Sequence, residues 1–179
     1  MILPPFLFEP SLISGNSRST LILSAFRPIE LLKDGETVKI LLVEDSKLLR
    51  LTNERTLVKA GYDVISAEDG EEALRCAKEH RPDLILLDLL LPKISGLEVL
   101  NRLKHNRDTA KIPVVALSGL SEKNRQKLLD AGADDYLEKN SVITDKGDSR
   151  LPKILEEVIC RINRKRGIAF TPILNKKTQ

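Results

Sequence analysis

The chain has 179 residues but no tryptophan, only two histidines and only two cysteines. Cys76 and Cys160 lie far apart and match no metal-binding or redox spacing, so we expect two reduced thiols rather than a disulfide. No apolar run approaches the roughly 18 residues that a membrane span needs. The first ten residues contain three prolines and Glu9 but lack the basic start of a secretory signal. These absences predict a cytoplasmic protein with no membrane segment.

The composition, 41% hydrophobic and 31% charged, is typical of a globular domain, and the net charge of +3 is too small to indicate a nucleic-acid partner. Prolines and serines interrupt residues 1–36, which we interpret as a flexible extension; the alternative is a segment that packs on the domain or on a partner. We expect a folded domain over 37–164 and a basic C-terminal tail over 165–179. That tail is too short for a DNA-binding domain, although weak contact with nucleic acid or an acidic partner stays open.

Short apolar runs alternate with helical patterns throughout the predicted domain. Gly61 and Gly132 follow two of the helical patterns, and the pairs Asp69/Glu72 and Ser95/Glu98 are typical of helix N-termini. Five strands alternating with five helices predict an α/β fold, a doubly wound five-stranded parallel sheet. If its order is 2-1-3-4-5, as in flavodoxin-like sheets, the first and third strands lie side by side at the switch point. The predicted strands are 39–43, 63–67, 84–87, 113–117 and 134–137.

Carboxylates end two of these strands: Glu44 and Asp45 follow the first, and Asp88 follows the third. Ligands of open α/β sheets bind outside the carboxyl ends of the strands, so we expect the three carboxylates to converge there and bind a hard cation such as Mg²⁺. The alternative is that Asp45 only caps the first helix and that Glu44 only favours the positive end of that helix. That alternative is weaker for Asp88, because the residues that follow it, up to Pro92, do not read as a helix.

Two further residues end strands at the same predicted edge. Ser118 follows the fourth strand and Lys139 follows the fifth, where a lysine would balance the charge of the carboxylates. With these residues in place, the chain resembles a receiver domain of the two-component response-regulator family, chemotaxis-regulator-like, over about residues 38–163. The motifs that carry the resemblance are Val43-Glu44-Asp45, the run from Leu87 to Gly96, Ser118, and the run from Gly132 to Lys139.

The resemblance implies a role for each site residue. Asp88 would accept a phosphoryl group from a sensor histidine kinase or a phosphotransfer protein in a phosphorelay. Mg²⁺ would be the cofactor, and Ser118 and Lys139 would contact the phosphoryl group. Tyr136 would be an aromatic switch that turns inward when Ser118 moves. The metal ligands implied are Glu44, Asp45, Asp88 and the backbone carbonyl of Leu90.

The expected function is a single-domain phosphorylation switch rather than an enzyme with external substrates. Its output would pass to an unidentified protein through the fourth helix, fifth strand and fifth helix, and a homodimer stays open. One alternative is a receiver-like module that works without phosphorylation. A hydrolase with an aspartyl-phosphate intermediate is disfavoured, because Leu90 stands where such enzymes need a second acid. Asn140 replaces the usual proline after Lys139, so we expect a trans peptide bond there.

Overall fold

The computed structural model describes residues 37–119, 125–142 and 149–167. Five parallel strands form one sheet in the order β2-β1-β3-β4-β5, which confirms the predicted doubly wound fold. The strands are β1 (Lys39–Val43), β2 (Asp63–Ala67), β3 (Leu84–Asp88), β4 (Val114–Ser118) and β5 (Asp135–Glu138). The helices are α1 (Lys47–Lys59), α2 (Gly70–His80), α3 (Gly96–His105), α4 (Arg125–Asp130), α5 (Lys139–Val142) and α6 (Leu151–Lys165).

The core lies in two layers, one on each face of the sheet. Alternate residues of β1 and β3 point to opposite faces, so that Ile40 and Leu42 belong to one apolar cluster and Leu41 and Val43 to the other. The first cluster is completed by α6 and the second by α2 and α3. Because both faces are covered, these strands are apolar at nearly every position, which is why the sequence reveals them.

The helix starts agree with the sequence. The side chains of Asp69 and Ser95 accept hydrogen bonds from the backbone N–H groups of Glu72 and Glu98, respectively. Gly132 follows α4 with φ +97°, a conformation that favours glycine. The predicted start of the fourth helix, near Ser121, lies outside the described residues.

The structure differs from the expectations in two places. The short helix α5, which begins at Lys139, has no counterpart in the sequence pattern. In α1, Leu57 is buried, but Leu48, Leu51 and Val58 are exposed. Leu57 lies nine residues after Leu48, which is two and a half helical turns, so the two side chains face opposite sides of the helix. The apolar pattern of α1 therefore does not mark its buried face.

The structure bears on several smaller expectations. Cys76 and Cys160 are free thiols. The described residues contain no cis peptide bond, so Lys139 and Asn140 are joined by a trans bond. In the part of the chain that the structure describes, every helix is too short or too polar to cross a membrane. The division at residues 36 and 164 stays a prediction.

Gly96 fixes the path of the loop between β3 and α3. A Cβ atom at this position would lie 2.2 Å from the carbonyl oxygen of Asp88 and 2.5 Å from the Cα of Leu89. The Gly96 N–H also donates to the Leu89 carbonyl at 3.1 Å. The start of α3 is therefore pressed directly against the backbone at the end of β3.

We expect Gly96→Ala to destabilise the protein by about 1–3 kcal/mol, because the new methyl group must displace the backbone of Asp88. Chemical denaturation measures this loss. Gly119→Ala is the matched control, since a Cβ there meets no atom of the described residues within 4 Å. Equal stability of the two variants would contradict the close packing at Gly96.

Candidate functional site

Three carboxylates meet at the carboxyl edge of the sheet. Glu44 and Asp45 directly follow β1, and Asp88 is the last residue of the neighbouring strand β3. One oxygen from each of the three lies within 4.8 Å of the others. Glu44 and Asp88 are buried, whereas Asp45 is exposed. The cluster predicted from the sequence is therefore assembled, with one carboxylate open to solvent.

Lys139 bridges the two buried carboxylates. It follows β5, and its Nζ donates to Asp88 Oδ2 at 2.6 Å and to Glu44 Oε2 at 2.8 Å. The second oxygen of Asp88 accepts the backbone N–H of Leu90 at 3.0 Å. Residues at the ends of three strands thus share one hydrogen-bond network, in which the Lys139 ammonium neutralises part of the negative charge.

Burial and charge oppose each other in this network. Burial raises the pKa of Glu44, and the nearby Asp88 adds to that effect, while the hydrogen bond from Lys139 lowers it without cancelling the rise. Burial alone would lower the pKa of Lys139, but its hydrogen bonds to Asp88 and Glu44 raise it overall. The ammonium therefore stays charged at neutral pH and favours ionised carboxylates around it.

The donor set fits a hard cation. Glu44 Oε1 is buried and has no hydrogen-bond partner among the described residues, which is costly for a carboxylate oxygen. The cluster offers oxygen ligands alone, with one of its members facing solvent, and these are the properties of sites that bind Mg²⁺ with several waters retained. The acidic cluster itself is thus suited to a divalent cation.

The remaining predicted residues lie at or near the same edge. Ser118 ends β4, is fully buried and pairs in register with Glu138, the residue before Lys139. Tyr136 lies two residues earlier in β5 and is buried among the side chains of the second core layer. Leu90 lies in the loop after Asp88, with an exposed side chain. The roles assigned to these residues remain predictions.

Arg50 is a site residue that the sequence analysis missed. From the first turn of α1 its guanidinium donates to the backbone carbonyls of Glu44 at 2.7 Å and Asp45 at 3.2 Å. It also forms an ion pair with Glu68 at 3.3 Å. Arg50 therefore ties the acidic loop to α1 and to the end of β2. A lone arginine in a helix gives no pattern that would have revealed this contact.

Comparison with known proteins adds independent information. A family model described as the response regulator receiver domain matches residues 40–145, more than half of the chain. The alkaline phosphatase synthesis transcriptional regulatory protein PhoP of Bacillus subtilis is 42% identical over 102 residues, which cover 56% of this chain and 42% of that protein. This chain spans less than half the length of the curated relatives that it matches first.

Solved structures agree with the fold. The chemotaxis response regulator CheY4 of Vibrio cholerae is 31% identical, with a TM-score of 0.61, over 69% of this chain and 99% of that one. A receiver domain of a Pseudomonas aeruginosa sensor histidine kinase, solved with a magnesium ion coordinated in its active site cleft, is 32% identical. Its TM-score is 0.58, over 69% of this chain and 98% of that one.

We expect Arg50→Ala to lower the free energy of unfolding by about 1–2 kcal/mol, because two carbonyls at the acidic loop lose a charged donor. Urea denaturation measures the change. Arg55→Ala, an exposed residue of the same helix, should cost less than about 0.5 kcal/mol. If both variants lose the same stability, the contacts of Arg50 do not hold the loop.

We expect Lys139→Met to lose about 2 kcal/mol of stability at pH 7, because Glu44 and Asp88 are left buried without their counterion. The folded state then disfavours ionised Glu44, whose pKa burial already raises above its ordinary value of 4.5, so the deficit should be small below pH 4.5 and grow as the pH rises through the raised pKa of the folded state. Millimolar Mg²⁺ should restore more stability to this variant than to the unsubstituted protein.

Thermal unfolding with and without Mg²⁺ tests both effects. Lys78→Met, which removes an exposed lysine of α2, is the control and should show neither. A stability deficit of Lys139→Met, relative to the unsubstituted protein, that is no larger at pH 7 than at pH 4 would show that the ammonium does not balance the carboxylates.

Proposed function

The chain belongs to the response regulator receiver domain family, and from that premise we propose that Asp88 accepts a phosphoryl group from the phosphohistidine of a sensor histidine kinase or a phosphotransfer protein. A carboxylate oxygen of Asp88 attacks phosphorus while the phosphorus–nitrogen bond breaks. The histidine keeps the electron pair, and the product is an aspartyl phosphate. The protein is then a switch and not an enzyme with an external substrate.

The single observation that carries the proposal is the bridge from Lys139 to Asp88 and Glu44, beside the exposed Asp45. Phosphoryl transfer mostly requires positioning of the nucleophile and neutralisation of the charge that spreads over the transferred group. Lys139 holds one oxygen of Asp88 and the Leu90 N–H holds the other, so the nucleophile is fixed from both sides.

We assign a Mg²⁺ ion to the acidic cluster. Its ligands would be carboxylates of Glu44, Asp45 and Asp88 together with the backbone carbonyl of Leu90. When bound, the ion neutralises negative charge on the phosphoryl oxygens. The buried, unpartnered Oε1 of Glu44 supports this assignment, because a cation or its water shell would supply the missing partner.

We further propose that Ser118 and Tyr136 transmit the change. Ser118 would hydrogen-bond a phosphoryl oxygen and draw the end of β4 toward Asp88, and Tyr136 would adjust its packing in response. The surface of α4, β5 and α6, of which α6 is the fifth predicted helix, would then bind an unidentified downstream protein or a second copy of the chain. A phosphoryl group can bias such an equilibrium only through contacts that differ between its two states.

The wider role is also a proposal. We interpret 37–164 as the receiver domain and propose that it acts as a single-domain regulator in the cytoplasm. The two free thiols fit a reducing compartment. The curated relatives are longer than this chain, so a regulator with a further domain is the principal competing arrangement.

Phosphorylation of the protein by phosphoramidate, followed by intact mass, tests the proposal. We expect a gain of one phosphoryl group that requires Mg²⁺ and is absent in Asp88→Asn. Asp83→Asn, which changes another buried aspartate at the opposite end of β3, is the control and should still be phosphorylated.

Absence of phosphorylation in a folded protein that binds Mg²⁺ would contradict the proposal. It would favour the receiver-like module that acts without phosphorylation. Phosphorylation that persists in Asp88→Asn would assign the acceptor to another residue.

A further inference from the structure

Lys93 has an unusual backbone conformation in the loop that follows Asp88. Its φ is +64°, in the left-handed region, which side chains with a Cβ rarely adopt. In the described residues only one other non-glycine residue, Arg81, has a positive φ, and it caps the end of α2. Such a conformation persists only where surrounding contacts hold it. One such contact is local, because the Ile94 N–H donates to the Pro92 carbonyl at 2.8 Å across Lys93.

A second contact, an ion pair with Asp69, joins Lys93 to another part of the chain. The Lys93 ammonium lies 2.5 Å from Asp69 Oδ2, and the Asp69 side chain is 11% exposed although that of Lys93 is 59% exposed. The other oxygen of Asp69, Oδ1, accepts the Glu72 N–H at 2.8 Å as the cap of α2. The Asp69 carboxylate is therefore held in place at the start of α2, where it can fix the position of the more exposed Lys93 ammonium.

The two residues come from loops on opposite sides of β1. Asp69 lies just after β2, whereas Lys93 lies between β3 and α3, and β1 separates those two strands in the sheet. The ion pair thus spans the end of β1, where Glu44 and Asp45 begin the acidic cluster. Close packing of Gly70 against Ile94, whose carbonyl oxygen would lie 3.0 Å from a Cβ on Gly70, joins the same two loops.

The loop that Lys93 anchors also carries groups of the acidic site. It begins at Asp88, and the Leu90 N–H fixes one oxygen of that carboxylate. It ends at Gly96, whose N–H donates to Leu89. Between these points Leu89, Leu91 and Ile94 pack against the second apolar cluster, but the side chain of Leu90 is exposed and does not hold its own backbone through burial. A displacement of the Lys93 backbone would therefore shift the backbone of Leu90 and the carboxylate of Asp88.

We propose that the Asp69–Lys93 ion pair is a clasp that positions the β3–α3 loop for cation binding and phosphoryl transfer at Asp88. The inference rests on the proposed function and deepens it. Lys93 and Asp69 are positioning residues, because neither belongs to the three-carboxylate cluster. The clasp orders the loop before a cation binds, so that the Leu90 backbone needs little rearrangement to complete the site.

A double-mutant cycle on the full chain tests the clasp. Lys93→Gly removes the ammonium but accepts a positive φ without strain, and Asp69→Asn removes the charge but keeps an oxygen that can cap α2. Each single variant should raise the Kd for Mg²⁺, measured by calorimetry, by about three- to tenfold. The double variant should be no weaker than either single variant, because both remove the same interaction.

A matched control comes from an ion pair that no loop depends on. Glu98 and Arg102 form an exposed pair at 2.7 Å on α3, and Glu98→Gln with Arg102→Gln should leave the Kd within about twofold of the unsubstituted value. If the losses of Mg²⁺ binding free energy in the two single variants simply add in the double variant, the ion pair does not act as the proposed clasp. Single variants with lower melting temperatures but an unchanged Kd would also overturn the clasp, since the pair would then only support the fold.

Hydrogen exchange of the backbone amides of residues 89–95, other than Pro92, separates this inference from the proposed function. We expect exchange there to accelerate at least about fivefold in both single variants without any Mg²⁺ or phosphodonor. Faster exchange in a protein that is never phosphorylated would retain the clasp and refute the proposed function. Normal phosphorylation of the unsubstituted protein, with unchanged exchange and Kd in the variants, would refute the clasp alone.

Discussion

The ammonium group of Lys139 neutralises negative charge at the place where the fold brings two carboxylates together, which would otherwise repel each other. Two carboxylates, Glu44 and Asp88, are buried side by side at the ends of adjacent strands, and Lys139, the residue after a third strand, reaches both of them. Burial of such a group is tolerated only when opposite charge accompanies it. The other parts of the site adjoin this neutralised pair: the exposed Asp45 completes the carboxylate cluster, and the Leu90 N–H donates to Asp88.

The sheet supplies the geometry that makes the balance possible. Parallel strands place all their carboxyl ends at one edge, and the order 2-1-3-4-5 puts β1 beside β3 at the point where the connections change direction. Loops at that edge are then tied together by side chains. Arg50 holds the loop after β1, Gly96 fixes the loop after β3 by close packing, and Lys93 joins that loop to Asp69.

The sequence predicted the strands well because a strand covered on both faces must be apolar at almost every position, as Leu84 to Leu87 are. It also predicted the three carboxylates, since strand ends are easy to recognise and topology then brings them together. The contacts of Arg50 and Lys93 could not be predicted, because they depend on the path of loops. The exposed leucines of α1 show a related limit: helical spacing alone does not say which face of a helix meets the core.

Our central proposal is that the acidic cluster, in which the Lys139 ammonium bridges Glu44 and Asp88, also binds a divalent cation. A crystal structure of the protein grown with Mg²⁺ at neutral pH tests this most directly. We predict an ion with oxygen ligands at about 2.1 Å from the carboxylates of the cluster and the Leu90 carbonyl, and with waters completing an octahedron. A cluster without an ion at saturating Mg²⁺, with Lys139 still bridging Glu44 and Asp88, would contradict it.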